Sequence, residues 1–222
     1  MLINADFLHP VLVLPEDRHW VPSPQAGVER VMLDRVGAEK ARATSLVRYA
    51  PDSEFPPHAH PGGEEILVLD GVFSDETGDY PAGCYLRNPP GSSHRPASEG
   101  ALIFVKLRQM SPDDQAVVRI DTTDAASWQR DDCGVERCPL HRHAIEQVDL
   151  LRLPAGHPVV DAPVSDGAEI LVLEGSVTVE HRRCPVGSWL RLPAGIPAGC
   201  AGPAGALIDR KVGLLGRFCD GL

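Results

Sequence analysis

Phe55–Pro96 reads FPPHAHPGGEEILVLDGVFSDETGDYPAGCYLRNPPGSSHRP. Its core, Glu65-Ile66-Leu67-Val68-Leu69-Asp70, is an apolar run of strand length that stops at Gly71. His58 and His60, two apart, point to one face if they lie on a strand. Pro61-Gly62-Gly63 is a tight-turn signal that can swing Glu64 back toward the same point. His94 follows Gly83, Pro89-Pro90 and Gly91, so a strand, a turn and a returning strand bring it beside the first three. Imidazole suits Zn, Cu, Fe and Ni, whereas carboxylate is a harder oxygen ligand. Three histidines and one glutamate in this frame predict a mononuclear divalent-metal centre. Strand alternation sends Glu65 to the other face, where it is expected to be solvated.

Outward from this stretch, the chain repeats itself. Glu65–Gly71 returns 104 residues on as Glu169-Ile170-Leu171-Val172-Leu173-Glu174-Gly175. At the same offset Gly83, Leu86-Arg87, Pro89 and Gly91 return as Gly187, Leu190-Arg191, Pro193 and Gly195. Gly27-Val28-Glu29-Arg30 recurs as Gly134-Val135-Glu136-Arg137, and Trp20 and Trp128 precede these copies at nearly equal distance. A repeat this long means two copies of one domain. The join is expected near Met110–Asp114, giving a metal-binding domain over residues 1–112 and a second over 113–222. In the second copy His58 becomes Ala162, His60 becomes Val164, Glu64 becomes Ala168 and His94 becomes Ala198. The turn frame persists while every ligand is lost, so a supporting role is expected there.

The 21 glycines and 21 prolines imply many turns between short apolar runs, which predicts an all-β fold. Gly37–Ala43 reads equally as a helical turn or a hairpin connection. A net charge of −10 argues against nucleic acid, which needs a basic footprint. No apolar stretch is long enough to span a membrane, and Met1–Asp6 lacks a basic secretory start. Six cysteines without a Cys-x-x-Cys pair fit reduced thiols and a cytoplasmic location. Cys133, Cys138, His141 and His143 do not have a usual zinc spacing, and His157 and His181 are expected on the surface. Cys84 is expected to face the interior. Tyr85, Arg87 and Lys106 lie on core strands and would orient an anionic substrate if they point inward. Arg87 and Lys106 have counterparts in Arg191 and Lys211, which favours a structural role.

The first half resembles a cupin: His58, His60, Glu64 and Gly71 match that family's first motif, and Gly83, Pro89, Gly91 and His94 its second. From Phe55 to Pro96 the wording is closer still to the cupin domain of ChrR-type anti-sigma factors, with a looser match from Trp20 to Gln109. The resemblance implies two tandem jelly-roll barrels, one divalent metal ion per chain held by His58, His60, Glu64 and His94, and Zn or Fe(II) ahead of Ni or Mn. It also implies a regulatory module answering an oxidant or small ligand, with a regulatory protein as partner. The helical zinc domain that binds sigma factors in that group is not expected, since the residues before Trp20 hold His9 and His19 but no cysteine. Free-standing cupins with this ligand set include Fe(II) dioxygenases acting on diketones and hydroxyketones, with dioxygen and a small molecule at the metal. No residue beyond the ligands is singled out as catalytic. A homodimer is the expected assembly, C2 pairs being commonest.

Overall fold

The computed structural model describes residues 1–38, 40–160, 166–196, 199–213 and 215. The described residues divide into two compact units: Met1–Ala5 with His19–Thr123, and Asp6–Arg18 with those from Asp124 on. Each is antiparallel β-structure. In the first unit the strands lie side by side as Leu2–Ile3, Val28–Val36, Arg42–Tyr49, Ala97–Leu107, Glu64–Asp75, Cys84–Asn88 and Val118–Asp121. A second small sheet pairs His58–His60 with Ser92–His94. In the second unit the order is Gln129–Arg130, Glu136–His143, Glu146–Leu153, Cys200–Val212, Ala168–Val179, Trp189–Leu192 and Val11–Val13. The second order reproduces the first strand for strand from Val28–Val36 onward. Each unit is an antiparallel jelly roll, and within Gly37–Ala43, Arg42 and Ala43 already belong to the strand that pairs with Val28–Val36 as a hairpin.

The apolar runs form strands because both of their faces are covered. Ile66, Val68, Leu86, Ile103 and Val105 point into the first barrel; Ile170, Val172, Leu190 and Ile208 do so in the second. Each such side chain contributes about 1.5–3 kcal/mol on burial. Gly71 recurs as Gly175 for a backbone reason. Both have positive φ (70° and 69°) at an irregular step between long strands. A Cβ would stand 2.0 Å from the Gly100 oxygen in one case and 2.3 Å from the Gly205 oxygen in the other. Only glycine lets the paired strands approach so closely.

On the opposite face of the first sheet, Glu65 is 2% exposed and not solvated as its sequence suggested. It accepts from Arg87 Nη1 and Lys106 Nζ, each at 3.0 Å, and Arg87 Nη2 reaches Asp114 at 2.6 Å. Arg87, Glu65 and Lys106 are register neighbours across three strands. These side chains alternate with Ile66, Leu86 and Val105, so Arg87 and Lys106 do not face the barrel interior. Tyr85, paired with Leu67, shares their outer face and is buried. Glu169, Arg191 and Lys211 hold the same register in the second unit, where Lys211 pairs with Glu146 at 2.7 Å. The register of charged residues is common to both units but the pairing is not: Glu169 accepts from Trp189 Nε1 at 2.7 Å.

The units do not follow the division at residues 112 and 113. Val118–Asp121 pairs with Cys84–Asn88 and completes the first sheet. Val11–Val13 pairs with Trp189–Leu192 and completes the second. These two strands occupy corresponding places. A sequence repeat marks where a copy begins, and here Val11–Val13 of the first copy and Val118–Asp121 of the second each join the sheet of the other.

Candidate metal centre

The small sheet places the ligands. His58 and His94 are directly opposite each other in its register, and His60 is opposite Ser92. The His60 carbonyl accepts from both Gly63 N (3.1 Å) and Gly91 N (2.9 Å), which ties the two ligand-bearing turns to one atom. Gly63 has φ 77°, and a Cβ there would meet Met110 Sδ at 2.3 Å, so the turn that returns Glu64 requires glycine. Glu64 opens its strand opposite Asn88 and Leu107.

One donor atom from each of His58, His60, Glu64 and His94 lies within 4.8 Å of all the others. The three imidazole centroids are 4.6–5.1 Å apart. His60, Glu64 and His94 are buried, whereas His58 is exposed and marks the solvent side. His94 Nδ1 lies 3.3 Å from Asp75 Oδ2, and His58 Nδ1 lies 3.3 Å from the Pro56 oxygen. Donation of Nδ1–H to an oxygen leaves the Nε2 lone pair free to ligate, the usual outer support of a metal-binding histidine.

Nε2 of His60 and of His94 is buried with no hydrogen-bond partner. They face the same Glu64 Oε2 at 3.5 and 3.4 Å. Burial, reinforced by the neighbouring His94 and His58, pushes His60 down to about 3, so its ring is neutral at neutral pH. Burial also lowers His94, against the pull of Asp75. Burial pushes the Glu64 carboxyl up to about 7, opposed by the Asn88 donor and aided by Asp75. Neutral imidazole lone pairs aimed at a carboxylate repel it unless a cation lies between them. The donor set therefore fits a divalent metal, with four protein ligands and room for one or two more at five- or six-coordination.

Glu64 is held in turn. Asn88 Nδ2 donates to Glu64 Oε2 at 3.0 Å, and Arg119 Nη2 donates to Asn88 Oδ1 at 2.7 Å. Arg119 also reaches the Tyr80 hydroxyl at 3.2 Å. Asn88, Asp75 and Arg119 escaped the sequence reading. Asn88 was accessible through alternation, one step past Arg87 on the Glu64 face. Arg119 was hidden because it lies beyond the expected domain join; the signal was the likeness of Val118-Arg119-Ile120 to Val11-Leu12-Val13. Arg119→Leu, which installs the residue of the other copy, is expected to weaken metal affinity about 10–100-fold without loss of fold. Competition against a chromophoric chelator measures it.

In the second unit Ala168 occupies the Glu64 place, fully buried and opposite Leu192 and Val212. Ala162, Val164 and Ala198 lie outside the described residues. Cys133, Cys138, His141 and His143 do not assemble as a ligand set among the described residues. Cys84 lies in the first barrel's apolar core, where burial raises its thiol. His157 is half-buried beside Pro158, and His181 is exposed.

A family model described as the ChrR cupin-like domain matches residues 8–111 and again 115–197. The chain belongs to the ChrR cupin-like family. Its two matches make it a tandem cupin. No curated protein matches it in sequence. Among solved structures it is similar to a "putative dioxygenase" of Nostoc punctiforme, at 16% identity and TM-score 0.70 over 97% of this chain and 83% of that one. It is similar to the bacterial pirin YhhW of Escherichia coli in complex with nickel(II), at 12% identity and TM-score 0.66 over 92% and 98%. A cupin 2 conserved barrel protein of Leptotrichia buccalis superposes at 14% identity and TM-score 0.62 over 96% and 99%. At these identities the likeness establishes the cupin fold. No helix among the described residues is long and apolar enough to cross a membrane.

Proposed function

We propose that the first cupin holds one divalent metal ion through His58, His60, Glu64 and His94, and that it serves as a regulatory module responsive to an oxidant or small ligand. The carrying observation is the pair of buried, partnerless Nε2 atoms facing Glu64 with one exposed histidine beside them. A metal there is anchored on three buried ligands and reachable from the His58 side. The ChrR cupin-like match favours a sensory role over a purely structural metal. Bound metal would supply an open coordination position for an oxygen-donor ligand. The chain's own residues supply the rest: Asn88 and Arg119 fix the carboxylate, and Asp75 fixes His94. The cytoplasm suits this reading, since the described cysteines are free thiols.

The second reading is an Fe(II) dioxygenase for a small diketone or hydroxyketone, favoured by the likeness to the Nostoc protein. Anaerobic purification with elemental analysis separates the two. Zn with a protein partner that is released by chelator or peroxide supports regulation. Fe(II) with oxygen consumption on a ketone panel, and no partner, overturns it. Ni and Mn remain within the range of this donor set.

The pH dependence of metal uptake has a defined sign. Below about 7 the Glu64 carboxyl holds a proton in the metal-free protein, and metal must displace it. Apparent affinity is expected to rise about tenfold per pH unit up to that point from this group alone, then to flatten. His60, titrating near 3, adds nothing in that window. Chelator competition on the wild type from pH 5.5 to 8 at constant ionic strength reads the effect as a slope that flattens above about 7.

A further inference from the structure

The second barrel, without the carboxylate of the first, carries polar groups of its own. In the first barrel Val105 stands between Ser45 and Ile66, and all three positions are ordinary wall. The same register in the second barrel reads Arg210 between Asp149 and Ile170. Strand alternation with the core residues Leu151 and Ile208 turns Asp149 and Arg210 inward. Asp149 is 1% exposed and its Oδ2 accepts from Arg210 Nη2 at 2.9 Å, Arg137 Nη1 at 2.9 Å and Gln147 Nε2 at 2.6 Å. Two guanidiniums thus share one buried carboxylate at the end of an apolar barrel, and Arg210 Nη1 also donates to the Val159 oxygen at 3.4 Å.

A cavity of about 160 Å³ opens at this point. Arg137 and Arg210 form its polar wall, and Val135, Leu151, Leu153 and Val159 form its apolar wall. Asp131 also borders it, but its Oδ1 is engaged by the Cys133 and Val135 amides of its own loop. The Arg137 side chain is 32% exposed, so its fork can engage a ligand from the open side. His157, also on the wall, directs Nδ1 to the Pro158 oxygen at 2.9 Å and leaves its other ring nitrogen for a ligand.

We propose that the second cupin binds a small carboxylate, with the anionic head on Arg137, whose guanidinium Asp149 positions, and an aliphatic or aromatic body against Val135, Leu151, Leu153 and Val159. Guanidinium forks match carboxylates in shape and charge, and charge-assisted bonds of this kind are the strong ones. An engineered cavity of roughly 150 Å³ accepts benzene, so the body has about four to seven carbon atoms. The site owes nothing to the metal of the first cupin, and the two stand or fall separately.

The test is isothermal titration of the full-length, chelator-stripped protein with sodium pentanoate and sodium benzoate. Pentanamide and benzamide serve as uncharged controls of the same shape. His58→Ala is titrated in parallel to remove any binding at the first cupin. The carboxylates are expected to bind with Kd of about 0.1–1 mM in both proteins, and the amides at least about tenfold more weakly. Arg137→Gln, at a half-exposed position, is expected to weaken carboxylate binding about tenfold or more. The double variant Asp149→Ser/Arg210→Val, which restores the first barrel's residues, should abolish it; if that protein does not fold, Arg137→Gln decides. Equal binding of acid and amide overturns the proposal. So does binding untouched by Arg137→Gln, binding lost in His58→Ala, or no binding of either acid at about 20 mM.

Discussion

Truncation of the chain to begin at His19 is expected to unfold the second barrel. The lost segment contributes Val11–Val13 to the edge of that sheet and buries Leu14 in its core. It also packs Phe7 over the Arg191 guanidinium at 3.9 Å and accepts from Arg191 Nη2 through the Asp6 oxygen at 2.8 Å. Burial of Leu12 and Leu14 alone accounts for about 3–6 kcal/mol. That compares with a total of about 5–15 kcal/mol for a typical domain. Trp189, fully buried beside the missing strand, is expected to shift its emission to the red. Hydrogen exchange should show loss of protection over Ala168–Val179 and Trp189–Leu192. A shorter truncation, beginning at Asp6, removes only Leu2–Ile3 from the first sheet and serves as control. Retained protection in the longer truncation would contradict the strand assignment. By the same logic, residues 113–222 expressed alone lack a strand and should not fold stably.

The second large effect separates two adjacent carboxylates. Glu64→Gln is expected to lower metal content from about one ion per chain to near zero, because the chelating set loses its anionic member. The metal-free variant should be more stable than wild type above pH 7. There the wild-type carboxylate is ionised although burial opposes its charge, and a neutral amide relieves that cost while its oxygen still accepts from Asn88 Nδ2. The sign follows from linkage: a raised folded pKa gives stability that is present at low pH and lost as pH rises through about 7. Glu65→Gln should do the opposite. It leaves Arg87 and Lys106 buried without their shared carboxylate, at a cost of about 3–5 kcal/mol, and keeps all four candidate ligands. Elemental analysis and thermal melts on the two proteins read both outcomes. Equal metal loss in both would remove the assignment of Glu64.

How much of this was legible beforehand depended on whether a feature was local. His58, His60, Glu64 and His94 were legible because turn residues and alternation fix their directions within short stretches. Two copies of one domain followed from the repeat, and their jelly-roll form from the resemblance to cupins. Glu65 was misread as solvated, since alternation tells which face a side chain takes but not whether that face is covered. Arg87 and Lys106 were misread as candidate wall residues for the same reason. Arg119 was missed because strand exchange is a long-range pairing that no local pattern announces. Arg210 and Asp149 were missed because a charged residue on a core strand reads as outward until register places it.

The exchanged strands also set an order on synthesis. The first barrel has its full set of strands once Val118–Asp121 has emerged, so it can close and load its site while the rest of the chain is still being made. Val11–Val13 is made long before its partner Trp189–Leu192. Until that partner emerges, Val11-Leu12-Val13-Leu14 is an unpaired apolar segment, the kind that associates with other chains. Pairing across so great a length of chain is slow, since loop closure precedes any contact that rewards it. The nascent protein therefore passes through a state with one finished domain and one exposed strand, and its yield in cells should depend on holding chaperones far more than its final stability suggests.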